Sequence, residues 1–487
     1  MKSSHMVVVL DGQSLPVADV VRLADGVARP VPGTDAMKRV EVSWHAAREL
    51  AASGRVYGRF TGVGANRSEA VPTGAAADHG LRLLRSHAGA IGATLPAREV
   101  RAMLAVRANQ LLAGGAGLRR TVVTALCEAL ESGAYPVVTE YGSVGTGDIA
   151  ALSQVGLALA GEQPWLGGTP PEAQPLDNND ALAMISSNAL TLGQAALALD
   201  ELRRLITATQ VVGALSLLAV DGSYEAYAEP VHAARPHPGS HAVAATMRRL
   251  LGAPERPTPP LGRIQDPYGF RCLPQIHGPA QDAADLLERT LAVEINAAAE
   301  NPLICPEDMS AYHHGGFYLS RLGLALDHFR LAVTQTARLS TSRLSALNEP
   351  AFTRLRPFLA DSEPGSSGVM ILEYAAGAAL GDLSALSAPA SLGHAVLSRG
   401  VEEQASFASL AARQALRASD AYRHVVGCEL VAAVRALRQR DLRPDPELPV
   451  GRAFALADGA LDSDHVDRPL TDDVTAAAAL LDQFTDL

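Results

Sequence analysis

Residues 181–220 read ALAMISSNAL TLGQAALALD ELRRLITATQ VVGALSLLAV. The stretch is apolar nearly all round, most completely from Val211 to Val220, and a helix with that pattern must bury every face. It reads as the central helix of a bundle. In a chain of small side chains such a helix points to a bundle shared between copies of the subunit, hence to a homo-oligomer. Outward from it the helical period persists. Over 321–337, Leu322, Ala325, Leu326, Phe329, Val333 and Ala337 share one face, with Asp327, His328 and Arg330 on the back. The helices over 181–220 and 321–346 are the ones expected to be covered by neighbouring subunits.

Composition supports the same architecture. Hydrophobic residues make up 48% of the 487 positions but aromatic residues only 4%, so the core is built from Ala, Leu and Val, which suits close helix packing better than sheets. Val7-Val8-Val9-Leu10 followed by Asp11-Gly12 predicts one small strand and turn before the first helix. The expected fold is mainly α: a long central helical bundle with a small N-terminal mixed α/β region. Residues 1–6 read as an expression scar, 7–175 as an N-terminal domain, 176–440 as the central bundle and 441–487 as a C-terminal loop and helix. Gly and Pro clusters mark loops at 161–175, 229–239, 252–262 and 441–451. The last helix is expected at 473–484, with Thr471 and Asp472 as N-caps.

With 41 basic and 52 acidic residues the net charge is −11, which argues against a broad nucleic-acid-binding face. No apolar run was expected to reach the ~18 residues of a membrane span, and the start lacks a charged region followed by an apolar one. A soluble cytoplasmic protein with no membrane partner is the expectation. Cys127, Cys272, Cys305 and Cys428 lie far apart with no CxxC pair, so reduced thiols and no metal site are expected.

Five segments are too polar, too rich in glycine or too oddly spaced for packing alone. In Val56–Gly64, three glycines free the backbone around Tyr57; read alone it is a glycine turn with a tyrosine packed over it. Arg85–Gly89 sets His87 in a helical apolar stretch, where a histidine is most simply a satisfied core residue. Tyr141–Ala150 holds Gly145-Thr146-Gly147 and then Asp148, which suits the first turn of the apolar helix that follows. Ile264–Cys272 brings Gln265, Tyr268 and Arg271 together after a proline-rich loop; the arginine can fork onto a carboxylate. Arg399–Gln404 carries the pair Glu402-Glu403, read alone as a solvated helix start.

Taken together and in order, these segments resemble the histidine and aromatic amino acid ammonia-lyase family, whose members eliminate ammonia with a methylidene-imidazolone electrophile made from their own backbone. Asn109–Arg120, Val220-Asp221-Gly222, Arg235–Gly239, Glu294-Ile295-Asn296, Glu300–Leu303 and Ser367-Gly368 extend the match from about residue 10 to the C-terminus. The resemblance implies a homotetramer acting on a small α-amino acid, histidine-like or aromatic. It gives Tyr57 the role of the base that removes the β-proton and Ser86-His87 the side-chain selectivity position. Gln265, Tyr268 and Arg271 become site residues, with Arg271 as carboxylate anchor; Phe317 is the aromatic near the ring and Glu402 the site glutamate. No external cofactor is implied.

This chain departs from the family's pattern at the electrophile. The family's Ala-Ser-Gly lies inside Gly-Ser-Val-Gly-Ala-Ser-Gly-Asp, whereas here Gly142-Ser143-Val144-Gly145-Thr146-Gly147-Asp148 is one residue shorter and has threonine at the middle position. An autocatalytic imidazolone from Gly145-Thr146-Gly147 would need the Gly147 nitrogen to attack the Gly145 carbonyl and Thr146 to lose water, leaving an ethylidene with a crowding methyl. The deletion favours a site without the ring. The family's site asparagine falls on Ser186, so that Ser186 or a shifted Asn188 must take its role; the Asn and His of Gly-Asn-Phe-His fall on Gly316 and Tyr318; Glu373 and Ala388 stand where Gln and His are usual. Three functions are consistent with this set: a lyase or aminomutase of the ordinary kind, an enzyme that keeps the pocket and expels a better leaving group than ammonia, and a non-catalytic paralogue that binds an amino acid or a partner enzyme.

Overall fold

The computed structural model describes residues 6–53, 56–259 and 262–487. Residues 1–5 of the stretch read as an expression scar lie outside the described residues, and Met6 is the first residue of a strand. The fold is mainly α, and the described strands form four two-stranded sheets. The chain divides into two compact units, one of Met1–Asp200, Leu287–Leu326 and Pro389–Arg413, the other of Glu201–Leu286, Asp327–Ala388 and Gln414–Leu487.

In the first unit the predicted strand, Met6–Leu10, pairs in parallel with Ala28–Pro32 across the helix Val17–Asp25. The helix Ala97–Leu112 is buried along most of its length and carries Arg107, whose side chain has no exposure. Its Nη1 donates to Glu300 Oε1 at 2.8 Å, its Nε to Met184 O at 3.2 Å and its Nη2 to Ala183 O. Those two carbonyls belong to the short helix Ala181–Ile185, which stops at Ser186. The stretch 181–220 is therefore not one helix, as its pattern predicted, but Ala181–Ile185 followed after a break by Ala189–Ala219. A guanidinium from another helix takes the carbonyl oxygens that continuation would need. The new helix is capped by Asp148, whose carboxylate accepts Thr191 N at 2.8 Å and Thr191 Oγ1 at 2.9 Å. Asp148 holds the N-cap position of the helix it precedes, Ile149–Leu159, through its backbone while its side chain serves another, and burial pushes its carboxyl above the usual range. The apolar run proves longer than the sequence reading allowed: Ala181–Ala219 has the length and composition of a span, and its most apolar window is 89% buried, as in a core helix.

The second unit is tied by buried polar pairs on its long helices. Arg343 grips Glu429 with both arms, Nε to Oε1 at 2.6 Å and Nη2 to Oε2 at 2.8 Å, and neither side chain is exposed. Ser216 and Ser340 donate to the same carboxylate at 2.7 and 2.5 Å. One helix turn pair away, Thr209 and Thr336 meet the Tyr422 hydroxyl at 2.8 and 2.7 Å. The predicted apolar face of Ser320–Leu347 is buried at all six positions. Its expected polar back is not solvated throughout: Asp327 and Arg330 are buried and paired at 2.6 Å, and only His328 is exposed. Two smaller expectations change as well. Glu229–Ala233, expected as loop, is helical. The terminal helix is Thr471–Leu480, continued as a 3-10 turn to Asp486; Leu470 holds the N-cap position without a side-chain bond, and Thr471 and Asp472, expected as caps, lie in the first turn.

Removing one partner of a buried pair strands the other's charge. Glu429→Ala is expected to destabilise the protein by about 3–5 kcal/mol, read as a lowered urea midpoint, with the double variant Arg343→Met/Glu429→Leu recovering most of the loss.

Candidate active site

Five separate segments of the first unit wall a cavity of about 310 Å³. The first is the glycine loop. Gly64 adopts φ +58, which a side chain would strain, and its N–H donates to the Tyr57 hydroxyl at 2.6 Å. The Tyr57 backbone N–H donates to His313 Nε2 at 3.4 Å, and the two rings meet edge to face at 6.4 Å. Burial holds the Tyr57 phenol above its usual range; the Gly64 bond opposes this, the Glu402 carboxylate adds to it, and Arg67 opposes it weakly.

The second segment is the altered loop, from which Thr146 and Gly147 face the cavity. Ser143 Oγ accepts from Gly145 N and donates to Gly147 O, both at 3.1 Å, and Ser406 Oγ donates to Gly145 O at 2.9 Å. Phe407 N donates to Val144 O at 2.9 Å and Ser409 Oγ to Ser143 O at 3.0 Å, so the shortened loop is drawn against 406–409. Gly145 has φ +89, and a Cβ there would stand 2.2 Å from Ser406 Oγ and 2.8 Å from Phe407 N. The alanine that opens the family's ring sequence would not fit at this position, which glycine holds here.

The third segment is the helix break, with Leu182, Ile185, Ser186 and Ser187 on the wall. Ser186 Oγ accepts from Asn301 N at 3.0 Å, and Ser187 Oγ donates to Gln110 at 2.6 Å. The fourth contributes Asn301, His313 and Phe317, and Asn301 Oδ1 accepts from His314 N at 2.9 Å. Asn188 lies behind the wall, donating to Phe317 O at 2.7 Å. In the fifth, Glu402 is set by a bridge to Leu397 rather than by the start of a helix, which begins at Ala408.

The structure thus brings together Tyr57, Thr146, Gly147, Ser186, Phe317 and Glu402, with Gly145 and Asn188 directly behind. His87 is not among them. It ends the helix Ala76–His87, half-buried rather than a core residue, with Nδ1 2.9 Å from Leu83 O, and it lines a second cavity of about 620 Å³. Gln265, Tyr268 and Arg271 belong to the second unit and do not line the Tyr57 cavity; Tyr268 is 67% exposed, with the Arg271 guanidinium 4.4 Å above its ring and Arg271 Nε on Asp266 O at 2.6 Å. Sequence reasoning missed Arg67, Asn301 and His313. Asn301 stood inside a matching stretch, and the His313-His314 pair beside Gly315-Gly316 was the available signal for the third.

Residues 15–457 match the family described as aromatic amino acid lyase. The chain is 33% identical over 500 aligned positions to a histidine ammonia-lyase of Anaeromyxobacter sp. (strain K), covering 97% of this chain and 98% of that one. A histidine ammonia-lyase of Geobacillus thermodenitrificans is 32% identical, over 98% and 97% of the two chains. Among solved structures, the ergothioneine-degrading enzyme ergothionase from Treponema denticola superposes with a TM-score of 0.91 at 26% identity, covering 98% of this chain and 99% of that one. Tyrosine aminomutase from Streptomyces globisporus gives 0.91 at 25% identity, covering 98% and 97%. With the match spanning nearly the whole chain, this protein belongs to the aromatic amino acid lyase family and is a lyase or aminomutase.

Proposed function

We propose that this enzyme eliminates nitrogen across the Cα–Cβ bond of a histidine-like α-amino acid without a backbone-derived ring, and that the nitrogen it expels is already quaternary. The observation that carries this reading is the shortened loop at Gly142–Asp148, whose Ser143, Val144 and Gly145 carbonyls are held by Ser409, Phe407 and Ser406. A primary amine leaves poorly and needs an electrophile to activate it. A trialkylammonium group carries its positive charge beforehand and departs as a neutral amine.

The remaining lining fits such a group. Ile149, Leu182, Ile185 and Val401 give the N-methyl groups an apolar wall, while the Phe317 ring and the Glu402 carboxylate supply what attracts a quaternary cation. The structural neighbour that degrades ergothioneine supports the same class, since ergothioneine is a histidine betaine. In the proposed step the Tyr57 phenolate takes the β-proton, the C–H electron pair forms the Cα–Cβ double bond, and the C–N bond breaks with its pair leaving on trialkylamine. The phenol then returns its proton to solvent.

A homotetramer in the cytoplasm belongs to the same proposal. It assigns Gln265, Tyr268 and Arg271 to the site of a neighbouring copy, a role supported by the exposure of Tyr268 and by their absence from the lining of the Tyr57 cavity.

With trimethylhistidine betaine or ergothioneine, the protein is expected to release trimethylamine and an ultraviolet-absorbing unsaturated acid, and to release no ammonia from histidine, tyrosine or phenylalanine. Rapid ammonia release from histidine overturns the reading. Because the Tyr57 pKa is raised, the phenolate becomes scarcer as pH falls below it. The kcat/KM should therefore climb about tenfold per pH unit from pH 7 to 9 and be lost in Tyr57→Phe; a flat profile there makes Glu402 the proton acceptor. Arg271→Lys replaces a bidentate fork with a point charge and should abolish activity on its own. Co-expressed with Tyr57→Phe it should give mixed oligomers that recover part of the parent's rate, which sites built within one copy would not do.

A further inference from the structure

The glycine loop and the turn that carries Glu402 are joined by one side chain that the mechanism does not use. Ser398 Oγ accepts from Ala65 N at 2.9 Å, across 333 positions of sequence. The amide next to it, Gly64 N, is the one that donates to the Tyr57 hydroxyl. Ser398 also fills the space beside Gly64, where a Cβ would come within 2.5 Å of Oγ. On its own side, Ser398 begins three successive left-handed residues, with φ of 52, 57 and 81 at Ser398, Arg399 and Gly400. Two of these carry side chains, so the surroundings must hold them in a conformation they disfavour. The turn is closed by Leu397 N on Glu402 O at 2.8 Å and Glu402 N on Leu397 O at 3.3 Å.

We infer that Ser398 is a positioning residue: its hydroxyl latches the Tyr57 loop to the Glu402 turn and so sets the separation of the phenol and the carboxylate. The contacts form one chain, from Tyr57 hydroxyl to Gly64 amide, Ala65 amide, Ser398 hydroxyl, the Leu397 bridge and Glu402. The loop so held is also a shared wall. Gly64 and Arg67 face the Tyr57 cavity, whereas Gly62, Val63, Ala65 and Ser398 face the cavity lined by His87. With the latch closed, His87 and Tyr57 stand in different cavities. Release of the latch lets the loop move as a strap, uncovering Tyr57 toward the side that holds His87.

The inference rests on Tyr57 as the proton acceptor, and its test is read on the loop itself so that the two can fail separately. Ser398→Ala removes the hydroxyl, Ser398→Gly removes it while relieving the backbone, and Ser398→Asn restores an acceptor on a residue that tolerates left-handed φ. In the first two variants, hydrogen exchange at the 57–67 peptide should quicken by about fivefold to tenfold, the weight of one hydrogen bond. The Tyr57 phenol, followed by ultraviolet titration against Tyr57→Phe, should move down toward an ordinary tyrosine as it loses burial. The kcat should fall with little change in KM, and Ser398→Asn should recover part of all three. Unchanged exchange and an unchanged phenol titration in both Ala and Gly variants overturn the latch, whatever the activity does. Loss of the latch signals with activity surviving in Tyr57→Phe would instead overturn the assignment of Tyr57 while leaving the latch in place.

Discussion

The buried guanidinium of Arg107 sets the geometry on which the site depends. It sits on a helix with no exposure, pairs with Glu300 and takes the last carbonyls of Ala181–Ile185. One side of that arrangement ends a helix and turns Ser186 and Ser187 to the cavity. The other fixes Glu300, whose neighbour Asn301 lines the cavity and whose carbonyl meets His314 Nε2 at 2.7 Å. Burial disfavours charge on both Arg107 and Glu300, and each is held by the other. A pair of this kind contributes little net stability, but losing either member costs about 3–5 kcal/mol, so the break in the helix is as fixed as the fold.

The site that results gathers acid–base groups around a loop that departs from the family's electrophile sequence. Tyr57 and Glu402 face the cavity on backbone that other contacts hold in unusual conformations. The loop that makes the ring in relatives is here one residue short and drawn against 406–409 by three hydrogen bonds through Ser143, Val144 and Gly145. The proposed chemistry follows from that loop: without the ring, the reaction needs a leaving group better than a primary amine.

The helices and the order of the site segments were legible because they follow from local period and from motif. The buried face of Ser320–Leu347 and the cluster of Tyr57, Thr146, Ser186, Phe317 and Glu402 are of this kind. The break at Ser186 was not legible, since it is made by a side chain some 77 positions away. Asp148 was legible only in part for the same reason: it holds the N-cap position of Ile149–Leu159, while its side chain caps Ala189–Ala219. The pairing of Asp327 with Arg330 was not legible on the polar back of its helix, because the helical pattern records polarity and a buried salt bridge is polar and buried at once. Arg67 carried no pattern until the loop that holds it was folded around the cavity, and His313 only the His-His-Gly-Gly run it belongs to.

The central claim is that no ring forms at Gly145-Thr146-Gly147, and the intact mass of the purified protein tests it most directly. Cyclisation and dehydration together remove two waters, about 36 Da, and no other change at this loop does so. The account predicts a mass equal to that of the unmodified sequence, with no new absorbance at the ultraviolet edge of the protein band. A mass lower by two waters, mapped to the peptide spanning 142–148, would contradict it.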